Sequence, residues 1–323
     1  MTILAIETSC DETSICIFKD KKVKSNIIYS QIAKHNEYGG IVPEIASRLH
    51  TNNIGYVLKE AIKKSNTKIE NIDYIAYTEK PGLSGALHIG KTCAQTLSLM
   101  LKKPLLPCHH IQGHIYSSAI DNEFQFPLLA LVVSGGHTQI VLMKEHLDFK
   151  VLGETLDDAV GESYDKVARA LGLEYPGGPI IDKLSKNGKH IFELPLPKND
   201  KTLDFSFSGL KVAVINLINK LKTRNLEFKI EDILYSFQIQ AITILIKKLQ
   251  IAIEKYKPKM ITIVGGVSAN SLLRKKIKEI KTDAKIIIPD LKYCTDNAAM
   301  IARLTWQKIN NELIKQNKKD KKK

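Results

Sequence analysis

Asp11-Glu12-Thr13-Ser14-Ile15-Cys16-Ile17-Phe18 and Gly135-Gly136-His137-Thr138-Gln139-Ile140-Val141-Leu142 decide the fold when set one above the other, Thr13 over Thr138. Each is a polar turn, then a threonine, then an apolar run suited to a buried strand. Apolar runs also precede both turns, over residues 3–6 and 128–133, so each stretch is the middle of a strand-turn-strand. A motif recurring at this distance marks a duplicated chain.

Working outward, residues 23–29 add a third strand to the first half. A helix over 42–64, a strand over 74–78, the turn Pro81-Gly82-Leu83-Ser84-Gly85 and a helix ending at Leu101 complete an α/β unit. In the second half, a strand over 140–143 precedes helices over 158–171, 209–222 and 230–255. Then follow a strand over 260–264, a helix over 268–280, a strand over 285–288 and a last helix over 296–314. The expected fold class is α/β. One half spans 1–107 and is rejoined by the C-terminal helix at 297–314, the other spans 108–296, and 315–323 form a lysine-rich, solvated tail.

With 323 residues and 44% hydrophobic content, the chain can bury a large core. No run of eighteen apolar residues occurs and Met1-Thr2-Ile3-Leu4 leads into acidic residues, so neither a membrane span nor an export signal is expected. Five scattered cysteines (Cys10, Cys16, Cys93, Cys108, Cys294) indicate neither a disulfide framework nor a zinc knuckle, and fit a reducing cytoplasm. The net charge of +14 attracts phosphate backbones, but five arginines against 43 lysines read equally as compositional drift.

Cys108-His109-His110-Ile111-Gln112-Gly113-His114 sets His110 and His114 four apart, which on a helix brings both imidazoles to one face. That is half a metal site, and a hydrogen-bonded core pair has the same spacing. The zincin protease helix shares the spacing, but Ile111 stands where such a protease needs its glutamate base. The polar turn 8–13, the turn Ser134-Gly135-Gly136-His137-Thr138 and Gly265-Gly266 before a helix suit phosphate groups; ordinary hairpin turns carry the same residues.

Further motifs make the chain specific. They are Ile6-Glu7-Thr8-Ser9-Cys10-Asp11-Glu12-Thr13, His35 with Tyr38-Gly39-Gly40-Ile41-Val42-Pro43-Glu44 to His50, His110 to His114, and Val133-Ser134-Gly135-Gly136-His137-Thr138. Beyond these come Gly153-Glu154-Thr155-Leu156-Asp157-Asp158 on to Asp165-Lys166, and Tyr175-Pro176-Gly177-Gly178-Pro179. Phe205-Ser206-Phe207-Ser208-Gly209-Leu210-Lys211, Gly265 to Asn270 and Tyr293-Cys294-Thr295-Asp296-Asn297-Ala298-Ala299 complete the series. In this order, and over nearly the whole chain, the series resembles the tRNA adenosine threonylcarbamoyltransferases, once called O-sialoglycoprotein endopeptidases.

The resemblance implies duplicated ribonuclease-H-like domains of the actin-like/sugar-kinase superfamily around a central nucleotide cleft. It also implies a third metal ligand, Asp296, and the resulting set of two imidazoles and a carboxylate suits Fe(II), with Zn(II) as the alternative. The implied reaction moves a threonylcarbamoyl group from threonylcarbamoyl-AMP to the exocyclic amine of the adenosine 3′ of the anticodon, in tRNAs reading codons that begin with A. Carried over position by position, Val132, Val133, Ser134, Gly135 and Gly136 contact the substrate through backbone, and Asp165, Gly178, Asp182 and Asn270 hold the adenylate. The residues themselves also read as a turn (Gly178), a helix surface charge (Asp165) and a helix cap (Asn270). Asp11 and Glu12 are the candidates for a general base, or else orient their turn. Backbone N–H groups near Ser134–Gly136 and Ser9–Glu12 are expected to neutralise the leaving phosphate.

Two positions depart from the family pattern. Lys80-Pro81-Gly82 replaces the usual Gly-Pro-Gly, which removes the glycine that a close backbone approach at position 80 needs; a lysine there adds charge to a phosphate site or points outward. His109 stands where asparagine is usual, and either hydrogen-bonds around the metal pair or faces away. Implied partners are tRNA, a paralogous dimer partner, a small ATPase and the synthase that supplies the adenylate. An ATPase or kinase of the same fold is a rival reading that the metal triad speaks against, since such enzymes hold Mg²⁺ through carboxylates, phosphates and water. A metalloendopeptidase is the other, opposed by Ile111.

Overall fold

The computed structural model describes residues 1–320, with side chains to 316. The first sheet is built from Thr2–Glu7 (β1), Glu12–Lys19 (β2), Lys22–Ser30 (β3), Tyr74–Lys80 (β4) and Leu105–His109 (β5). The second is built from Leu128–Val133 (β6), Thr138–Met143 (β7), Lys150–Glu154 (β8), Met260–Val264 (β9) and Lys285–Ile287 (β10). Their orders, β3-β2-β1-β4-β5 and β8-β7-β6-β9-β10, are the same topology. In both, the first three strands form an antiparallel meander and the last two run parallel to the first. The duplication read from the two turns is therefore complete at the level of the sheets.

The helices are Ile32–Asn36 (α1), Pro43–Ser65 (α2), Ser84–Leu101 (α3), His110–Ser117 (α4) and Val160–Ala170 (α5). Gly177–Leu184 (α6), Ser208–Thr223 (α7), Ile230–Tyr256 (α8), Ser271–Lys278 (α9) and Ala298–Asp320 (α10) follow. Continuous apolar strands mark central positions: β1 and β6 are buried at every residue, as strands covered on both faces must be. Around β1, Leu4, Ile6, Ile15 and Ile17 pack with Val57 and Ala61 of α2 and Ala94 and Leu97 of α3. Around β6, Leu129, Leu131 and Val133 pack with Ile140 and Leu142, Tyr164 and Val167 of α5, Val214 of α7 and Phe237 of α8.

The sequence register of the two turns is off by one. Ser14, not Thr13, occupies the place of Thr138, because Ser14 pairs with Glu7 and Thr138 with Val133, each the last residue of the preceding strand. Their hydroxyls do the same work: Ser14 Oγ accepts from Ala298 N (2.9 Å) at the start of α10, and Thr138 Oγ1 from Val160 N (2.9 Å) at the start of α5. The first turn is longer than the second, which aligning threonine on threonine hides.

The chain divides into one unit of 1–34, 41–123 and 289–323, and another of 35–40 and 124–288. The expected boundaries at 107/108 and 296/297 thus shift by some 16 and 8 residues, and the segments of His110, His114 and Asp296 all join the first unit. The reason is local: α4 continues directly from β5 and packs along α10. The helix α10 runs to Asp320, past Lys315 where a tail was expected; residues 321–323 of that tail lie outside the described residues.

Candidate active site

In the first unit, β5 ends at His109 and α4 starts at His110, so the helical spacing assumed for His110 and His114 is realised. Both are buried, their rings 4.6 Å apart and nearly perpendicular. Asp296 reaches them from just before α10, whose first turn is held by side chains of β2 and β3. Ser14 Oγ accepts from Ala298 N, and Asn26 Oδ1 accepts from Ala299 N at 3.2 Å. Asp296 Oδ1 lies 2.9 Å from His114 Nε2 and 3.5 Å from His110 Nε2, and one donor atom from each of the three residues falls within 4.8 Å of the others. Atoms each roughly 2.0–2.2 Å from one cation stand about 3–3.5 Å apart, a spacing that the two Asp296 contacts at 2.9 and 3.5 Å come near, so the donor types suit a divalent metal with N and O ligands. His114 Nδ1 is buried and has no hydrogen-bond partner among the described residues.

Behind His110 lies a residue that the sequence did not single out. Glu7, the last residue of β1 and fully buried, places Oε2 3.2 Å from His110 Nδ1; its carboxylate also accepts from Ser9 N (2.6 Å) and from the Thr78 hydroxyl. Ser9 Oγ is 3.0 Å from the same His110 nitrogen. A charged residue closing a strand of apolar neighbours was the available signal. Burial alone would raise the Glu7 pKa, but the His110 charge and hydrogen bond outweigh it and lower it overall. Burial opposes charge on His110 too, yet Asp296 and Glu7 together raise it to about 9.

Asp11 lies in the turn just ahead of β2, and Glu12 is the first residue of that strand. Burial, then the negative charges of Asp11 and Asp296, push the Glu12 carboxyl well above the usual range, with a hydrogen bond to Asp11 adding to the effect. The turn is braced by His50, which is fully buried: Nε2 donates to the Cys10 carbonyl (2.9 Å) and Nδ1 accepts from the Thr13 hydroxyl (2.7 Å). The close backbone approach next to it belongs to Gly82. A Cβ there would meet the Ser9 carbonyl oxygen at 2.5 Å, while Lys80 is exposed. His109 is not one of the three clustered donors, and among the described residues its buried Nδ1 has no hydrogen-bond partner.

In the second unit, Val132 and Val133 are the buried end of β6, and Ser134–Gly136 form the turn, closed by Ser134 N donating to His137 O at 2.8 Å. Gly161 packs against this turn so tightly that a Cβ would lie 2.6 Å from Ser134 O, and Gly265 likewise approaches Val133 O at 2.4 Å. Gly135 and Gly136 are themselves exposed, with open space at Cβ. The adenylate candidates form a relay of helix caps. Asp165 of α5 accepts from Gly177 N at the start of α6 (2.8 Å). Asp182 of α6 accepts from Ser271 N (3.0 Å) and Ser271 Oγ (2.9 Å) at the start of α9. Asn270 takes the capping role: Oδ1 accepts from Leu273 N (2.9 Å) and Nδ2 donates to Gln238 Oε1 (2.8 Å). Carboxylates carry about four acceptor positions, so Asp165 and Asp182 retain capacity for hydroxyl donors beside their caps. Gly178 leaves open space in the first turn of α6.

Two sheets of identical topology define a protein of the actin-like/sugar-kinase fold class, with a His-His-Asp set that could hold a metal ion. Solved structures agree on the fold. The activator of 2-hydroxyisocaproyl-CoA dehydratase from Clostridium difficile superposes with a TM-score of 0.54 at 15% identity, over 97% of each chain. A hexokinase of the ROK group from Thermus thermophilus gives 0.51 at 11% identity, over 96% of this chain and 100% of its own. Sequence relatives are far nearer. The family profile described as TsaD, tRNA N6-adenosine threonylcarbamoyltransferase, matches residues 22–303. Proteins of that name from Mesoplasma florum and Staphylococcus carnosus are 55% and 49% identical, over 96% and 93% of this chain and 99% and 88% of their own. The chain belongs to the tRNA N6-adenosine threonylcarbamoyltransferase family.

Proposed function

We propose that the protein transfers the threonylcarbamoyl group of threonylcarbamoyl-adenylate to the exocyclic amine of the adenosine 3′ of the anticodon, in tRNAs reading codons that begin with A. The observation that carries this is the convergence of His110, His114 and Asp296 in a member of this family. These three residues hold the cation, and Fe(II) is favoured over Zn(II) for a set of two imidazoles and one carboxylate with open positions. When bound, the cation supplies Lewis acidity toward the carbamoyl carbonyl.

The chain's own groups do the rest. The backbone of Val132–Gly136 approaches the substrate where exposed Gly135 and Gly136 leave room, and Asp165 and Asp182 accept from ribose hydroxyls beside Gly178. Asn270 acts on the adenylate through α9, which it caps. Asp11 and Glu12 are the candidate acceptors for the amine proton; burial and the charges of Asp11 and Asp296 push the Glu12 carboxyl well above the usual range. The N–H groups of the exposed glycine turn Gly135–Gly136 are the donors for the leaving phosphate.

The protein works in the cytoplasm with the synthase that makes the adenylate, a paralogous dimer partner and a small ATPase. Among the described residues, no helix is long and apolar enough to cross a membrane. Anaerobic purification followed by metal analysis tests the cofactor: iron near one per chain, with transfer restored to stripped protein by Fe(II), supports the assignment. Restoration by Zn(II) alone replaces it.

A further inference from the structure

We propose that Glu7 is a positioning residue of the metal centre, its carboxylate holding the His110 imidazole by Nδ1 so that Nε2 is presented beside Asp296 and His114. The inference rests on the metal reading above and deepens it. Every contact of Glu7 serves one geometry. It closes β1, and because Ile6 pairs with Tyr77, the Thr78 hydroxyl of the neighbouring parallel strand lies alongside to donate to it. Ser9 N donates to Oε1 at 2.6 Å and fixes the other oxygen. With both oxygens tied down, Oε2 stands 3.2 Å from His110 Nδ1, and the opposite ring nitrogen stands 3.5 Å from Asp296 Oδ1.

A buried carboxylate costs several kcal/mol unless donors compensate it, so an acid at the end of Ile3-Leu4-Ala5-Ile6 needs its three donors. An imidazole that gives Nδ1–H to a carboxylate keeps the Nε2 lone pair for the cation and makes it more basic. Among the described residues His114 Nδ1 has no such partner. The centre is therefore asymmetric: both imidazoles face Asp296 through Nε2, but only His110 is also held by a carboxylate at Nδ1. Ser9 Oγ also reaches His110 Nδ1, but Ser9 is itself held through its amide by Glu7, which places Glu7 first in the chain of contacts.

The test is cobalt(II) titration of metal-stripped full-length protein, read by visible absorption, for the natural chain and for Glu7→Gln, Glu7→Asp and Ser9→Ala, with circular dichroism of each. The natural chain is expected to bind one cobalt. Glu7→Gln should bind it roughly 10- to 100-fold more weakly with a shifted spectrum, Glu7→Asp should fall between, and Ser9→Ala should lose less than Glu7→Gln. A folded Glu7→Gln protein with unchanged affinity and spectrum overturns the proposal. If Glu7→Gln does not fold, unchanged affinity and spectrum in Glu7→Asp overturn it instead. A natural chain that takes up no cobalt overturns the metal reading itself, a different result from a Glu7 variant that binds normally.

Discussion

His114 Nε2 and Asp296 Oδ1 lie 2.9 Å apart although 182 residues separate them in the chain. The contact joins α4, the continuation of a central sheet's edge strand, to the start of α10, which two side chains of the same sheet hold in place. The centre is thus assembled by the sheet and not by a flexible loop.

Replacing either partner removes a ligand without emptying the core. His114→Ala and Asp296→Ala should each reduce bound metal to below a tenth of the natural level and slow transfer by at least about 100-fold. Metal analysis beside single-turnover rates checks this. Stoichiometric metal in either variant would contradict the assigned ligands.

Proton and cation compete at His110. Its pKa in the metal-free fold is about 9, above the ordinary 6.5, so its ion pairs with Asp296 and Glu7 add stability below pH 6.5 that is lost as pH rises through 9. Metal uptake has the opposite sign, since the cation must displace that proton. Apparent metal affinity should therefore climb about tenfold per pH unit between pH 7 and 9 and level off above. Calorimetry in buffers of different ionisation enthalpy would register the released proton.

Asp182 does two jobs in this account. Asp182→Ala removes the acceptor for Ser271 N at the start of α9, beside the Asn270 cap, and should cost about 1 kcal/mol in urea unfolding, in the usual range for a lost cap, while raising KM for the adenylate. Asn270→Ala should cost a similar amount of stability with a smaller rise in KM, because both ends of its side chain are engaged within the protein. Equal KM effects would show that Asp182 acts only through α9.

At Gly82 the backbone of the β4–α3 connection touches the Ser9 turn. Gly82→Ala puts a methyl 2.5 Å from a carbonyl oxygen that cannot yield, so a loss of about 1–3 kcal/mol is expected together with slower transfer as the turn carrying Asp11 and Glu12 shifts. Lys80→Ala, at an exposed position, should leave stability within about 0.5 kcal/mol. Thermal melts of the two variants side by side decide this.

Much of the fold was legible because both sheets are written in the same code of apolar strand, polar turn and apolar strand. The spacing of His110 and His114 raised a shared helical face only as a condition, and the helix α4 that realises it was not among the expected elements. Asp296 was not legible at all, since no periodicity links a residue to one 182 positions away; family resemblance supplied it. Glu7 escaped notice because at the end of β1 it reads as the polar residue opening a turn, and only the pairing of β1 with β4 reveals the donors around it. Short or exposed elements were also missed. The strand β8 is half exposed and lacks clean alternation, and α6 begins with two glycines. The register of the two turns was misread because a threonine match outweighed the pairing that only the sheet can show.

The most direct test of the central claim is reconstituted transfer. Purified protein, its metal, the synthase, the paralogous partner and the small ATPase are incubated with threonine, bicarbonate, ATP and unmodified tRNA, and nucleosides are quantified by mass spectrometry. The account predicts threonylcarbamoyladenosine at the position 3′ of the anticodon, abolished by chelation and by Asp296→Ala. Absence of the modified nucleoside with every component present and the natural chain metal-loaded would contradict it.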